Sequence, residues 1–271
     1  MARFVQAIIR EQRSFGRICR LILHAPELTA GVRAGHYLLV RCADPVSADP
    51  LLRRAIFVAG VDPDVGTLTL LFTPQERGMV WLARQPAGTP LELFGPLGTP
   101  FTLDNRTRNL LLIGVGEGLG ALFLLAQAAL RQNAAVVLLT AAPAADLLPP
   151  PFLLPPAVEY RGSDAGEHSI ADLLYSETAP ENQVGTSSEL IAWADQIGAT
   201  LPPALLPTLV SAVRATRLRW QRGFAQVALP GAMPCGTGAC LACLIETRPG
   251  LRTRCKDGPV FDLRDLPAGR H

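Results

Sequence analysis

The chain has 271 residues, 49% of them hydrophobic and 18% charged, a composition that builds folded cores and is not that of a disordered chain. Its formal net charge of +2 gives no footing for nucleic acid or an anionic membrane. The longest apolar run, around Leu119–Leu130, is too short for a bilayer span and is interrupted by Gly120 and Gln127. The amino terminus has no secretory apolar core, so the reading is a soluble, cytoplasmic protein of two domains plus a small appendage.

Residues 1–102 read as short strands separated by Pro, Gly and Asp turns. The candidates are Phe4–Arg10, Gly16–Leu23, His36–Cys42, Arg54–Ala59, Thr67–Phe72 and Pro90–Phe94, with one helical turn at Met79–Arg84. Six strands at this spacing predict a small antiparallel barrel. Cys19 and Cys42 fall in apolar, alternating surroundings and read as small core residues.

Residues 103–226 change pattern. An apolar strand at Asn109–Ile113 meets a glycine-rich turn, then a helix at Ala121–Arg131 and a second apolar strand at Ala135–Thr140. Strand, turn, helix and strand in that order predict a βαβ unit and a parallel sheet. Six prolines make residues 143–156 an irregular connection. A helix at Ser169–Tyr175, a strand at Leu190–Ala194, a helix at Ala204–Arg219 and a strand at Phe224–Leu229 complete the reading.

Within the glycine turn, Gly116-Glu-Gly118-Leu-Gly-Ala121 satisfies the relaxed G-x-G-x-x-A form between a strand and a helix. Glycines there let the backbone approach a pyrophosphate. A tight strand-to-helix turn without a ligand fits the same residues. Glu117 would bring an anion towards a bound pyrophosphate, and no acidic residue closes the second strand.

Residues 227–271 carry the strongest signal. Cys235, Cys240, Cys243 and Cys255 form the pattern C-x4-C-x2-C-x11-C. This is the ligand spacing of a plant-type [2Fe–2S] cluster, in which each iron takes two thiolates. The small residues Gly236, Gly238, Ala239 and Ala242 suit a loop that wraps an inorganic core and turns backbone N–H groups towards sulfur. Two other chemistries stand open to the same cysteines. Structural zinc usually pairs two C-x2-C knuckles, and only one is present; disulfides need an oxidising compartment and better loop geometry.

Barrel, βαβ domain and cysteine tail in this order resemble the electron-transfer subunit of dihydroorotate dehydrogenase, within the ferredoxin–NADP reductase-like superfamily. The likeness spans essentially the whole chain. Met233-Pro-Cys235 through Cys243 and Cys255-Lys-Asp-Gly-Pro-Val-Phe261 look like that family's cluster motif, with Met233 and Phe261 as packing that restricts water. Leu52-Arg-Arg54-Ala-Ile-Phe57 resembles its flavin segment, Gly95-Pro-Leu-Gly98 with Phe101 the end of its barrel, and Leu111–Gly118 its nucleotide loop.

The resemblance implies a fold of β-barrel, parallel α/β domain and [2Fe–2S] region. It implies an oxidoreductase in which a nicotinamide dinucleotide gives hydride to FAD, and single electrons pass through the cluster. They connect to the FMN of a separate catalytic subunit in pyrimidine synthesis, so a hetero-oligomer is expected. The residues carried over for FAD are Arg54, Ala55, Ile56, Phe57, Leu71, Phe72, Thr73, Gly78 and Met79; those for NAD are Gly114, Gly116 and Gly118. The chain departs from the family at Ala55 for proline, Phe57 for serine and Met79 for threonine. Gln196-Ile-Gly198-Ala-Thr stands for its nicotinamide-side Cys-Gly-Pro. The alternative from another class is a relay or scaffold subunit that holds a cluster and binds no nucleotide.

Overall fold

A computed structural model describes residues 2–175, 187–217 and 219–267. Strands β1 (Arg3–Phe15), β2 (Ile18–His24), β3 (Tyr37–Val40), β4 (Arg54–Asp62), β5 (Thr67–Phe72) and β6 (Pro90–Leu97) close into an antiparallel barrel in the order β1-β2-β5-β4-β3-β6. Each predicted strand of this half is present. Alternation explains why: on β5, Leu68, Leu70 and Phe72 point inward while Thr67, Thr69 and Leu71 are partly exposed. A one-turn helix, α1 (Pro26–Thr29), follows β2, and α2 (Arg77–Ala83) precedes β6.

The second half contains β7 (Asn109–Val115), α3 (Leu119–Arg131), β8 (Ala135–Ala141), β9 (Val158–Ser163), α4 (Ser169–Tyr175), α5 (Ser187–Trp193), β10 (Gln196–Thr200), α6 (Leu206–Thr216) and β11 (Ala225–Ala228). A hairpin of β12 (Leu244–Thr247) and β13 (Gly250–Thr253) follows, then β14 (Val260–Asp262). The sheet order is β14-β11-β10-β7-β8-β9, parallel throughout except for β14. Chain order runs outward from β7 to β8 and β9 on one side and through β10 to β11 on the other. The strand order therefore reverses between β7 and β10, where open α/β sheets present their binding crevice beyond the strand carboxyl ends. Gly114 and Thr200 are paired there.

Leu190–Ala194 corrects the sequence reading. It is not a strand: it supplies the end of helix α5 and the residue after it. Four or five apolar residues do not distinguish the two periods. Here Leu190, Ile191 and Ala194 are buried together, and the Arg217 guanidinium donates to the carbonyls of Ala192 at 2.9 Å and Ala194 at 2.7 Å, satisfying the helix end. The strand of this region is β10 instead. Its sequence, Gln-Ile-Gly-Ala-Thr, has weak strand character and forms because β7 and β11 pair with it on both sides. Helix α6 is shorter than predicted, beginning after a 3-10 turn at Pro203–Leu205.

Two cores result. One joins the barrel interior, α3, Leu110 and Leu112 of β7, and Met233, Cys243 and Cys255 of the cysteine segment. The other lies on the opposite face of the sheet, with Leu111, Ile113 and the apolar faces of α5 and α6. Barrel, helix and cysteine loop thus share one continuous interior.

Candidate functional site: a cysteine loop beside an interdomain cleft

The four cysteines are brought together by backbone curvature and by the barrel beneath them. Gly236 (φ +68°) and Gly238 (φ +84°) bend the loop through the left-handed region. A Cβ at Gly236 would meet Leu97 Cδ1 at 2.7 Å and Leu39 Cδ1 at 2.9 Å, so the loop lies directly on β6 and β3. The Gly238 N–H donates to Cys255 Sγ at 3.2 Å, and the Cys255 N–H to Cys243 Sγ at 3.4 Å. Burial raises the Cys235 thiol, but N–H groups of Cys240 and Thr237 outweigh it and hold the thiol at about 5. Cys255 is pushed up to about 12 by burial and by the neighbouring Cys243 thiol. Such mutual repulsion among thiolates is relieved when a cation takes the place of their protons. The donor set, soft sulfur with inward N–H groups, fits a [2Fe–2S] group. Cys240 is exposed while Cys243 and Cys255 are buried, which leaves one edge of the loop open to solvent.

Two tethers fix the later part of this loop. The buried Tyr37 hydroxyl on β3 donates to the Cys255 carbonyl at 3.0 Å. Thr99, at the end of the barrel, donates its N–H to the Gly258 carbonyl at 2.5 Å. A Cβ at Gly98 (φ +84°) would collide with Pro259, so glycine is required where the tail crosses the barrel.

Beside the loop lies a cleft of about 420 Å³ between barrel and sheet. Its barrel wall is Arg54–Phe57, Leu71–Thr73 and Met79; its sheet wall is Gly116, Glu117, Gly118 and Leu119; its third wall is Pro230–Pro234, leading into Cys235. All the residues singled out for flavin except Gly78, and Gly116 and Gly118 of those singled out for dinucleotide, therefore face one space. Gly78 and Gly114 lie behind the walls. A Cβ at Gly78 would press on Cys42 and Pro50 at 3.1 Å, and one at Gly114 would enter Leu119 of helix α3. Both are packing positions.

Ile56, Phe72, Met79 and Phe123 give the cleft an apolar surface suited to a ring system, and a Cβ at Gly116 would find nothing nearer than Glu167 Oε1 at 3.7 Å. These residues fit a flavin-sized planar group and a nearby nucleotide. The charge balance is less usual. Arg54 is held in an ion pair with Glu76 and also donates to the Leu52 carbonyl at 2.6 Å. The Glu117 carboxyl is raised above the ordinary range, by burial and then by Glu76.

The segment from Gln196 needs correction as the nicotinamide-side element. Gln196 sits at the amino end of β10, away from the cleft, where it accepts from the Asp104 N–H at 2.8 Å and donates to the Gly223 carbonyl at 2.9 Å. Gly198 is covered by helix α3, with Leu125 Cδ2 at 2.6 Å from a notional Cβ. Only Thr200, at the carboxyl end, reaches the glycine loop, donating to the Glu117 carbonyl at 3.0 Å. Sequence reading also missed Tyr37, Glu76 and Arg254. No local signal marks Tyr37 or Glu76, whereas Arg254 was adjacent to a proposed ligand.

Residues 231–267 match the family model of the iron–sulfur cluster binding domain of dihydroorotate dehydrogenase B. Over 239 residues the chain is 31% identical to the dihydroorotate dehydrogenase B (NAD(+)) electron-transfer subunit of Shouchella clausii, covering 86% of this chain and 85% of that one. The chain belongs to this electron-transfer subunit family. The subunit of Bacillus mycoides is 23% identical over 266 residues, with 96% of each chain covered. Among solved structures, an NADH-dependent reduced ferredoxin–NADP oxidoreductase aligns with a TM-score of 0.76 at 20% identity, covering 97% of this chain and 90% of that one. A ferredoxin reductase of carbazole 1,9a-dioxygenase aligns at 0.60 and 20% identity, covering 80% and 65%. These structures share the fold. The family's cluster model spans Gly231–Pro234 of the cleft's third wall and all four cysteines, so one segment serves both places. Among the described residues, no helix is long and apolar enough to cross a membrane.

Proposed function

We propose that this electron-transfer subunit carries electrons between a nicotinamide dinucleotide and a dihydroorotate dehydrogenase-type catalytic subunit, in the cytoplasm and within pyrimidine synthesis. The domain division at 1–102, 103–226 and 227–271 follows the same scheme of flavin, nucleotide and cluster regions. The observation that carries the reading is the shared wall: Pro230–Pro234 lines the cleft and continues directly into Cys235. Cys235, Cys240, Cys243 and Cys255 are the residues to hold the [2Fe–2S] group. Arg54, Ile56, Phe72, Thr73 and Met79 would hold FAD, with Gly116, Gly118 and Thr200 beside the dinucleotide. When bound, the flavin divides a two-electron donation into single electrons, which a [2Fe–2S] centre takes one at a time.

This chain's residues supply orientation and exclusion of water. Met233 is 2% exposed, lines the cleft and belongs to the same buried core as Cys243 and Cys255. Phe57 occupies the family's serine position and presents an aromatic ring, not a hydroxyl, to the cleft. Arg54 and Arg53 provide cations on the barrel wall.

The Arg54–Glu76 pair, with Glu117 nearby, favours a second reading: a cluster-holding relay whose cleft takes no nucleotide. The absorption spectrum of freshly purified protein, with flavin released on denaturation and stopped-flow NADH oxidation, separates the two. Stoichiometric FAD and rapid NADH oxidation establish the first reading; iron and sulfide without flavin establish the relay. Cys240→Ser is expected to remove most of the cluster's visible absorption. An unchanged spectrum would refute that ligand.

A further inference from the structure

Arg254 hydrogen-bonds to both the cysteine loop and the cleft's third wall. Its N–H donates to the Cys243 carbonyl at 3.0 Å, and it directly precedes Cys255. Its guanidinium turns the other way, donating from Nη1 to the Pro230 carbonyl at 2.8 Å. A Cβ at Gly231 (φ +135°) would collide with that guanidinium, so glycine makes room for it in the cleft's third wall.

The cation is short of partners. Its Nε is buried without an acceptor, and among the described residues no carboxylate forms an ion pair with it. A half-buried guanidinium left in this state is costly unless an anion offsets it. The cysteine loop supplies that anion by its chemistry. Two ferric ions, two sulfides and four thiolates sum to a dianion, and one added electron makes a trianion. A fixed positive charge stabilises the trianion more than the dianion.

Resting on the cluster reading above, we propose that Arg254 is a positioning and tuning residue: a fixed cation, carried by the residue before Cys255 and held on the Pro230 carbonyl, that favours the reduced cluster and braces the Pro230–Gly231 wall. The electron that enters reduces one ferric ion to ferrous, its source being the reduced flavin in the intact protein. Arg254 exchanges no proton in this step.

The test uses the full chain as wild type, Arg254→Gln and Arg254→Lys, each assayed for iron and acid-labile sulfide. Dithionite titration with redox mediators, followed by electron paramagnetic resonance, then gives the midpoint potential. In Arg254→Gln the equilibrium constant for cluster reduction is expected to fall about tenfold, a downward shift of about 59 mV for one electron. Arg254→Lys is expected to restore most of it. Loss of the cluster in Arg254→Gln but not in Arg254→Lys also supports the charge requirement. A wild-type potential in Arg254→Gln with full iron and sulfide overturns the proposal and leaves the cluster standing. So does loss of the cluster in both variants, which assigns the side chain to packing alone. Absence of iron and sulfide from the wild type itself overturns the cluster reading beneath it.

Discussion

At the scale of single residues, the four cysteines and their buried neighbour Tyr37 differ in how they declare themselves. Cysteine is rare in this chain, and its spacing reports a chemistry directly. Tyr37 reports nothing, because its importance arises from a partner 218 positions away. Its hydroxyl satisfies the Cys255 carbonyl in a site without solvent, and its ring packs edge-on against Phe57 at a centroid distance of 6.3 Å. Tyr37→Phe retains the ring and strands the carbonyl. The expected loss is about 1–3 kcal/mol of stability, the cost of an unsatisfied buried acceptor. Urea unfolding gives that number, and a midpoint equal to wild type would mean that water or another donor replaces the hydroxyl.

At the scale of elements, the glycine turn shows how much of a motif is packing. Gly116 borders the cleft, but Gly120 belongs to the interface between α3 and the barrel. A Cβ at Gly120 would meet Ala59 Cβ at 3.2 Å and the Phe57 carbonyl oxygen at 3.3 Å. Gly120→Val is therefore expected to push α3 from β4, at a cost of about 1–3 kcal/mol. Because Gly118 rests against the Phe57 ring, the same change should lower flavin retention; thermal unfolding and flavin release measure the two effects separately. Elements with a clear period, such as β5 and α3, were legible from sequence. Leu190–Ala194 was not, since its helix is decided by burial against the sheet and by the Arg217 guanidinium on its terminal carbonyls.

At the scale of the whole molecule, the tail after Cys255 ties the parts together. It crosses the barrel at Thr99, adds β14 to the edge of the sheet, and then forms a turn where Asp265 receives Arg222 through two hydrogen bonds of 2.6 Å and 2.7 Å. The Asp265 carbonyl also accepts from the Arg248 N–H in the β12–β13 turn. The Arg222 hydrogen bonds hold the Asp265 carboxyl below the usual carboxylate range, against the opposing effect of burial. With the folded value depressed, this stabilisation is complete above the unfolded carboxylate value of about 4 and is lost as pH falls through the folded one. Asp265→Asn should accordingly lower the urea midpoint at pH 7, and the difference from wild type should close in acid. A gap that persists at pH 2 would show that the carboxylate charge is not its source.

The sequence by itself determined the ligand spacing, the barrel's alternating strands and the first βαβ unit, because each is written in residues near one another. It could not place Arg254 against the cleft wall, Glu76 on Arg54, or Thr200 rather than Gln196 at the glycine loop. Those contacts depend on which strand ends meet after the chain closes. That was decided only when β10 entered beside β7 and the barrel's outer face settled on α3.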